Sequence, residues 1–433
     1  MQTEMTASLE IGDIAREMKL ASPAVAATTV EIRNAALAAI KDSLSSHADE
    51  IFSANAKDLA AAEANGIAPA IVKRLKFDQH KLDDVIAGIS DLIGLPDPIG
   101  SVLLDRELDE GLRMKRISCP IGVIGVIFEA RPDALVQIST LCLKSGNCSI
   151  LKGGSETAQT NKALFELIHA AAVKAGMPAE CMFQVEARED IGKLLACDQS
   201  VDLLIPRGSN SFVRYIMDNT RIPVMGHADG ICHIYVDEAA DVNLTIPVVI
   251  DAKTQYTAAC NAVETLLVHR GIAEALLPAL AKACSEVGVT LRGDSKTQAI
   301  IDCPAADESD WATEYLDLIL SIKVVSDIDE AITHINRYRS HHTDAITTQD
   351  DAAADRFMQL VDSAGVYRNC STRFADGFRY GFGAEVGIST SKLHARGPVG
   401  LEGLVTYKYT ITGQGHIVGD YASGKRSFHF KDL

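Results

Sequence analysis

The stretch 251–269 holds the strongest candidate for covalent chemistry. Cys260 stands there among small residues, Ala258, Ala259 and Ala262, that leave room for a substrate, with Lys253, Gln255, Asn261 and Glu264 as polar neighbours. A cysteine attacks an acyl carbon as thiolate, so it needs access and a positive or hydrogen-bonding surrounding. Residues 265–268 (Thr-Leu-Leu-Val) read as a buried strand able to hold that loop rigidly. The plain alternative is a buried small hydrophobe, which is what most cysteines in such chains are. Local composition leaves both readings open.

Two other short stretches carry the marks of anion binding. Lys152-Gly153-Gly154-Ser155 and Arg207-Gly208-Ser209-Asn210 each place glycine and a hydroxyl between an expected strand and an expected helix. Backbone amides and the helix dipole favour phosphate at such a point. No G-x-G-x-x-G occurs; Gly381, Gly383 and Gly387 imitate one without the strand and helix it needs. His341 and His342 with Asp344 lack metal-ligand spacing, so no metal is expected. Glu264, His269 and His394 read as structural.

The elements that must position these residues alternate. Strands at 121–128, 148–152, 183–186 and 201–206 are separated by helices at 132–144, 156–175 and 190–196, and a helix at 209–219 follows. That alternation means a parallel sheet covered by helices, with ligands at the carboxyl ends of its strands. A second such series runs from 233 to 348 and contains the Cys260 loop. Ahead of both lie helices at 22–44, opened by Ser22-Pro23, at 47–64 and at 78–92. Residues 101–105 and 112–117 read as a polar hairpin, 404–411 as a strand, and 413–433 as a peripheral extension. The expected fold is α/β with two parallel-sheet domains. Residues 1–232 form a cofactor domain interrupted by the hairpin near 101–119, and 233–370 a catalytic domain. Residues 371–433 return to the cofactor domain and a small β oligomerisation arm.

Totals narrow the function. The chain has 433 residues, 58 acidic and 41 basic, for a formal charge of −17. Nothing would offset phosphate repulsion, which argues against nucleic acid and anionic membranes as partners. Ten cysteines without a C-x-x-C pair fit a reducing compartment. No apolar run reaches the length of a membrane span, and the N-terminus lacks a signal or transit pattern, so a cytoplasmic protein is expected.

Five separated motifs then carry a resemblance. They are residues 121–133 (IGVIGVIFEARPD), 151–156 (LKGGSE), 260–269 (CNAVETLLVH), 369–377 (NCSTRFADG) and 383–398 (GAEVGISTSKLHARGP). Together they resemble the γ-glutamyl phosphate reductases of the aldehyde dehydrogenase superfamily over nearly the whole chain. The resemblance implies NADPH-dependent reduction of L-glutamyl 5-phosphate to glutamate 5-semialdehyde and phosphate, the second step of proline synthesis. It implies Cys260 as nucleophile through a thioester with its backbone amide at the oxyanion, Asn261 as a further catalytic residue, and Arg131 where the superfamily has an asparagine donor. NADP would meet Lys152, Gly153, Ser155, Arg207, Gly208, Ser209 and Glu314. Segment 225–230 lacks the glutamate base of hydrolytic relatives, which suits attack by hydride. Ser155 stands where NAD-preferring relatives often carry glutamate, which favours a 2′-phosphate on charge grounds. The resemblance also allows a homo-oligomer, dimer or tetramer, and association with a glutamate 5-kinase. The rival enzyme reading is a hydrolytic, NAD-linked aldehyde dehydrogenase, which needs no phosphate.

Overall fold

A computed structural model describes residues 10–186, 190–227 and 229–433 of the chain. Contacts divide it into two compact units: everything up to Met225 with Phe382–Gly387 and Val399–Leu433, and Gly226–Gly381 with Ile388–Pro398. Of the tail expected at 371–433, residues 371–381 and 388–398 group with the second unit.

The first unit is built on a four-stranded parallel sheet in the order Met182–Val185, Cys148–Lys152, Val123–Phe128, Leu203–Arg207. Val123–Phe128 is buried at every position. A strand covered on both faces reads as a continuous apolar run for this reason. Helices Ile11–Ala26, Val30–Ser46, Ala48–Ala64 and Gln79–Gly94 belong to the same unit. Here the sequence expectation at Ser22-Pro23 is corrected. Pro23 lies inside the last turn of Ile11–Ala26, and the next helix starts at Val30 with Thr29 as its cap. Proline removes the N–H that would bond the Lys19 carbonyl. The Ser22 hydroxyl donates to that same oxygen at 2.9 Å and makes up the loss.

The second unit holds six parallel strands in the order Gly365–Arg368, Thr343–Thr347, Cys232–Val236, Val263–His269, Ile319–Val325, Thr290–Gly293. Helices Val242–Thr254 and Arg270–Glu286 pack with Val263–His269 in a core that includes Ile234, Val249, Leu266, Leu276 and Ile322.

The expected hairpin is longer than its sequence suggested, Val102–Asp109 with Leu112–Pro120, and turns at Gly111 with φ +73°. It becomes a four-stranded antiparallel sheet by adding Val405–Thr412 on one side and Lys431–Asp432 on the other. The tail is therefore anchored. Tyr421 Oη donates to Asp109 Oδ2 at 2.9 Å, and His429 Nδ1 lies 3.0 Å from Oδ1. Those two bonds, His429 first, hold the Asp109 carboxyl at about 2, below the usual 3.8. A lowered carboxylate contributes fully above its unfolded value and loses that contribution as pH falls through its folded one. Docking of 413–433 should thus persist at neutral pH and weaken as pH falls from 3.8 towards 2. Asp109→Ala should release the tail at neutral pH, seen as faster tryptic cleavage at Lys425 or Arg426 with the rest of the chain resistant. Unchanged cleavage would contradict this anchor.

Candidate active site

Sheet order explains how the reactive groups meet. Thr343–Thr347, Cys232–Val236 and Val263–His269 are neighbours and parallel, with Asp344 opposite His233 and Cys232 opposite Val263. The residues just ahead of these strands therefore converge on one edge: His342, Gly230 with Ile231, and Cys260. This is the amino-terminal edge. The carboxyl-edge rule for open α/β sheets does not describe this site.

Cys260 sits in a tight turn in which the Ala262 amide donates to the Ala259 carbonyl at 2.9 Å. Its Sγ lies 3.2 Å from His342 Nε2. On the other side of that ring, Nδ1 is 3.0 Å from Thr343 Oγ1, which can accept its proton and leave Nε2 as the basic nitrogen facing sulfur. His342 is buried, 1% exposed, and the His227 ring packs edge-on against it at 4.9 Å. His227 Nδ1 is 2.8 Å from the Ile388 carbonyl and so carries the proton there.

The loop is held by its backbone. The Cys232 thiol donates to the Cys260 carbonyl at 3.3 Å. Gly230 packs directly on that peptide: a Cβ there would lie 2.1 Å from the Cys260 carbonyl oxygen and 2.5 Å from its Cα. Only glycine allows this approach. The Cys260 amide has no hydrogen-bond partner among the described residues and stays available to a developing oxyanion. Asn261 is differently employed. Its Nδ2 donates to Ala375 O at 2.8 Å, and its carbonyl accepts from Thr372 Oγ1 at 2.7 Å.

Chemistry separates this cysteine from the rest. Burial raises the thiols of the other nine, Cys142, Cys148, Cys181 and Cys284 to about 12. Such groups are poor nucleophiles. Cys260 alone is in hydrogen-bond contact with a histidine nitrogen at short range.

Below the loop, Lys253 Nζ donates to Glu264 Oε2 at 2.5 Å, with both residues at most 1% exposed. Burial drives Glu264 up to about 7 and Lys253 down, and each partner partly offsets the other's shift. The pair ties the end of helix Val242–Thr254 to the start of strand Val263–His269, bracketing the Cys260 loop.

The expected cofactor residues gather in the first unit, with Glu314 in the second. Register sets Lys152 beside Ile127 and Arg207 beside Phe128, so Gly153, Gly208 and Glu129 share the carboxyl edge. Ser209 caps helix Asn210–Asp218, and its amide donates to Glu129 Oε2 at 3.0 Å. The amide at the head of that helix thus already binds an anion, the Glu129 carboxylate, which is the chemistry a phosphate group requires. A Cβ at Gly153 or Gly208 would strike Asn161 Nδ2 at 2.1 Å or Glu129 Oε2 at 2.4 Å. Ser155 opens the short turn Ser155–Thr157, and Glu156 behind it accepts from the Ala130 amide at 2.6 Å. Arg131 caps helix Pro132–Lys144 and pairs with Asp133 at 3.2 Å in the first unit.

Sequence reasoning missed His342 and His227. Each precedes a strand, but only the order of strands in the sheet makes those positions neighbours of Cys260.

The aldehyde dehydrogenase family model matches residues 2–316. A γ-glutamyl phosphate reductase of Pelotomaculum thermopropionicum is 57% identical over 98% of this chain and 98% of its own length. γ-Glutamyl phosphate reductase 1 of Synechocystis is 59% identical over 93% of each. This chain belongs to the γ-glutamyl phosphate reductases of the aldehyde dehydrogenase family. The crystal structure of γ-glutamyl phosphate reductase from Thermotoga maritima, 40% identical, superposes with a TM-score of 0.92 over 94% of this chain and 99% of that one. An acetylating aldehyde dehydrogenase from Geobacillus thermoglucosidasius, 15% identical, shares the fold with a TM-score of 0.63. As a member of this reductase family the chain is an oxidoreductase.

One stability test follows from the ion pair. Glu264→Gln leaves the Lys253 ammonium buried without its counter-charge, and should cost about 3–5 kcal/mol of unfolding free energy. Lys253→Met with Glu264→Leu should cost clearly less. Equal losses in denaturant titrations would contradict a buried charged pair.

Proposed function

We propose that this chain reduces L-glutamyl 5-phosphate to L-glutamate 5-semialdehyde and phosphate with NADPH, by way of a thioester on Cys260. The observation that carries the reading is the 3.2 Å contact between Cys260 Sγ and His342 Nε2, in a chain of this family.

His342 takes the thiol proton. Sγ then forms its bond to the γ-carbonyl carbon as the bond from that carbon to the phosphate oxygen breaks. The Cys260 amide steadies the oxyanion in that step, and again when the reduced carbon sheds Sγ to release the aldehyde. NADPH, when bound, supplies the hydride. Lys152, Gly153, Arg207, Gly208 and Ser209 would hold it, Lys152 and Ser155 favouring the 2′-phosphate, and Glu314 would meet the nicotinamide ribose. Segment 225–230 carries no glutamate to take the role it has in the hydrolytic enzymes. Exposed Tyr407, Tyr409 and Ile411 on the outer strand Val405–Thr412 support assembly of a homo-oligomer through that sheet.

In the reverse direction, wild-type enzyme should reduce NADP⁺ with glutamate semialdehyde only when phosphate is present. Cys260→Ser should abolish turnover, and His342→Gln should lower kcat by about 100-fold or more. Lys152→Ala should raise the KM for NADPH more than that for NADH. Oxidation of the semialdehyde without phosphate would favour the hydrolytic reading instead.

A further inference from the structure

We infer that Arg373 binds an anionic group of the substrate, a carboxylate or a phosphate, and so selects the acyl donor presented to Cys260; this rests on the function proposed above. After strand Gly365–Arg368 the chain makes the short turn Thr372–Phe374. Thr372 Oγ1 donates to Asn261 O at 2.7 Å, and Asn261 Nδ2 donates to Ala375 O at 2.8 Å. These two bonds clasp the turn to the residue that follows Cys260, with Arg373 between the clasps.

The side chain is only 8% exposed. Its Nε donates to Gln255 Oε1 at 2.8 Å, at the other end of the Cys260 loop, and its Cζ lies 5.9 Å from the Tyr256 ring centre. No carboxylate among the described residues comes within salt-bridge distance of it. The other buried guanidinium among the described residues, Arg33, is answered by Asp97 at 2.7 Å, whereas the buried Lys144 ammonium bonds neutral oxygens of Asn34 and Ile93. A buried guanidinium facing only a neutral amide is costly unless an anion completes it. Arg379 adds positive charge, its Nη1 donating to the Arg373 carbonyl at 2.6 Å. Burial first and then Arg379 push the Arg373 pKa down, while Cys260, Asp376 and Asp251 pull it up from beyond salt-bridge distance. A guanidinium fork matches a carboxylate or phosphate edge in two parallel hydrogen bonds. The substrate class is therefore a small acyl compound bearing such a group.

The test is steady-state kinetics of semialdehyde oxidation by the full-length enzyme, with inorganic phosphate and semialdehyde varied separately, for wild type, Arg373→Gln and Arg373→Lys. Loss of a charge-assisted contact should raise one KM by about tenfold or more in Arg373→Gln. Arg373→Lys should recover part of the effect, because the charge remains and the fork does not. A raised KM for phosphate assigns the phosphate, and a raised KM for semialdehyde assigns the carboxylate. Unchanged values for both, with only kcat altered, would overturn the inference and leave Arg373 as a strut for Gln255. Should Arg373→Gln fail to fold, Arg373→Lys decides on the same two constants. A wild-type enzyme without phosphate-dependent turnover would instead remove the proposed function.

Discussion

Three parallel strands lying side by side are what bring a sulfur to a histidine in this chain. Thr343–Thr347, Cys232–Val236 and Val263–His269 deliver His342, Gly230 and Cys260 to one edge. Sheet hydrogen bonding fixes the strands, and the strands fix the loops ahead of them. Gly230 against the Cys260 peptide, and the Cys232 thiol on its carbonyl, leave that loop little freedom. A nucleophile gains from being held within a fraction of an ångström of its base, and a rigid sheet edge supplies that economically.

The same edge explains why one cysteine differs from nine. Cys232 lies in the site's own sheet with its Sγ 3.9 Å from the other nitrogen of the His342 ring, but it is fully buried and its thiol is pushed well up by burial. Cys260 is half-buried and touches an imidazole. Position, more than residue type, sets reactivity.

Much of the fold was legible from periodicity. Continuous apolar runs gave the central strands, and the helix expected at 78–92 is Gln79–Gly94, with Asp78 as its cap. Pro23 misled because a hydroxyl neighbour repaired the carbonyl that proline orphans, so the helix ran through it. The short tail strand Lys431–Asp432 has two residues and no pattern; it exists because the hairpin edge offers it partners. In the site, Cys260 stood out by its small neighbours and by family motif. His342 did not, since it lies 82 residues away and strand order is a property of the folded chain. The side chain of Asn261, beside Cys260, donates through Nδ2 to the 372–375 turn, a link that strand periodicity could not show.

The pairing of Cys260 with His342 is tested most directly by alkylation. Intact enzyme would be treated with substoichiometric iodoacetamide across a pH series, then digested, and the label assigned by peptide mass spectrometry, for wild type and His342→Gln. The expected result is label at Cys260 ahead of the other nine cysteines, with a rate at neutral pH that drops in His342→Gln. Equal labelling of several cysteines, or the same Cys260 rate in both proteins, would contradict the pairing.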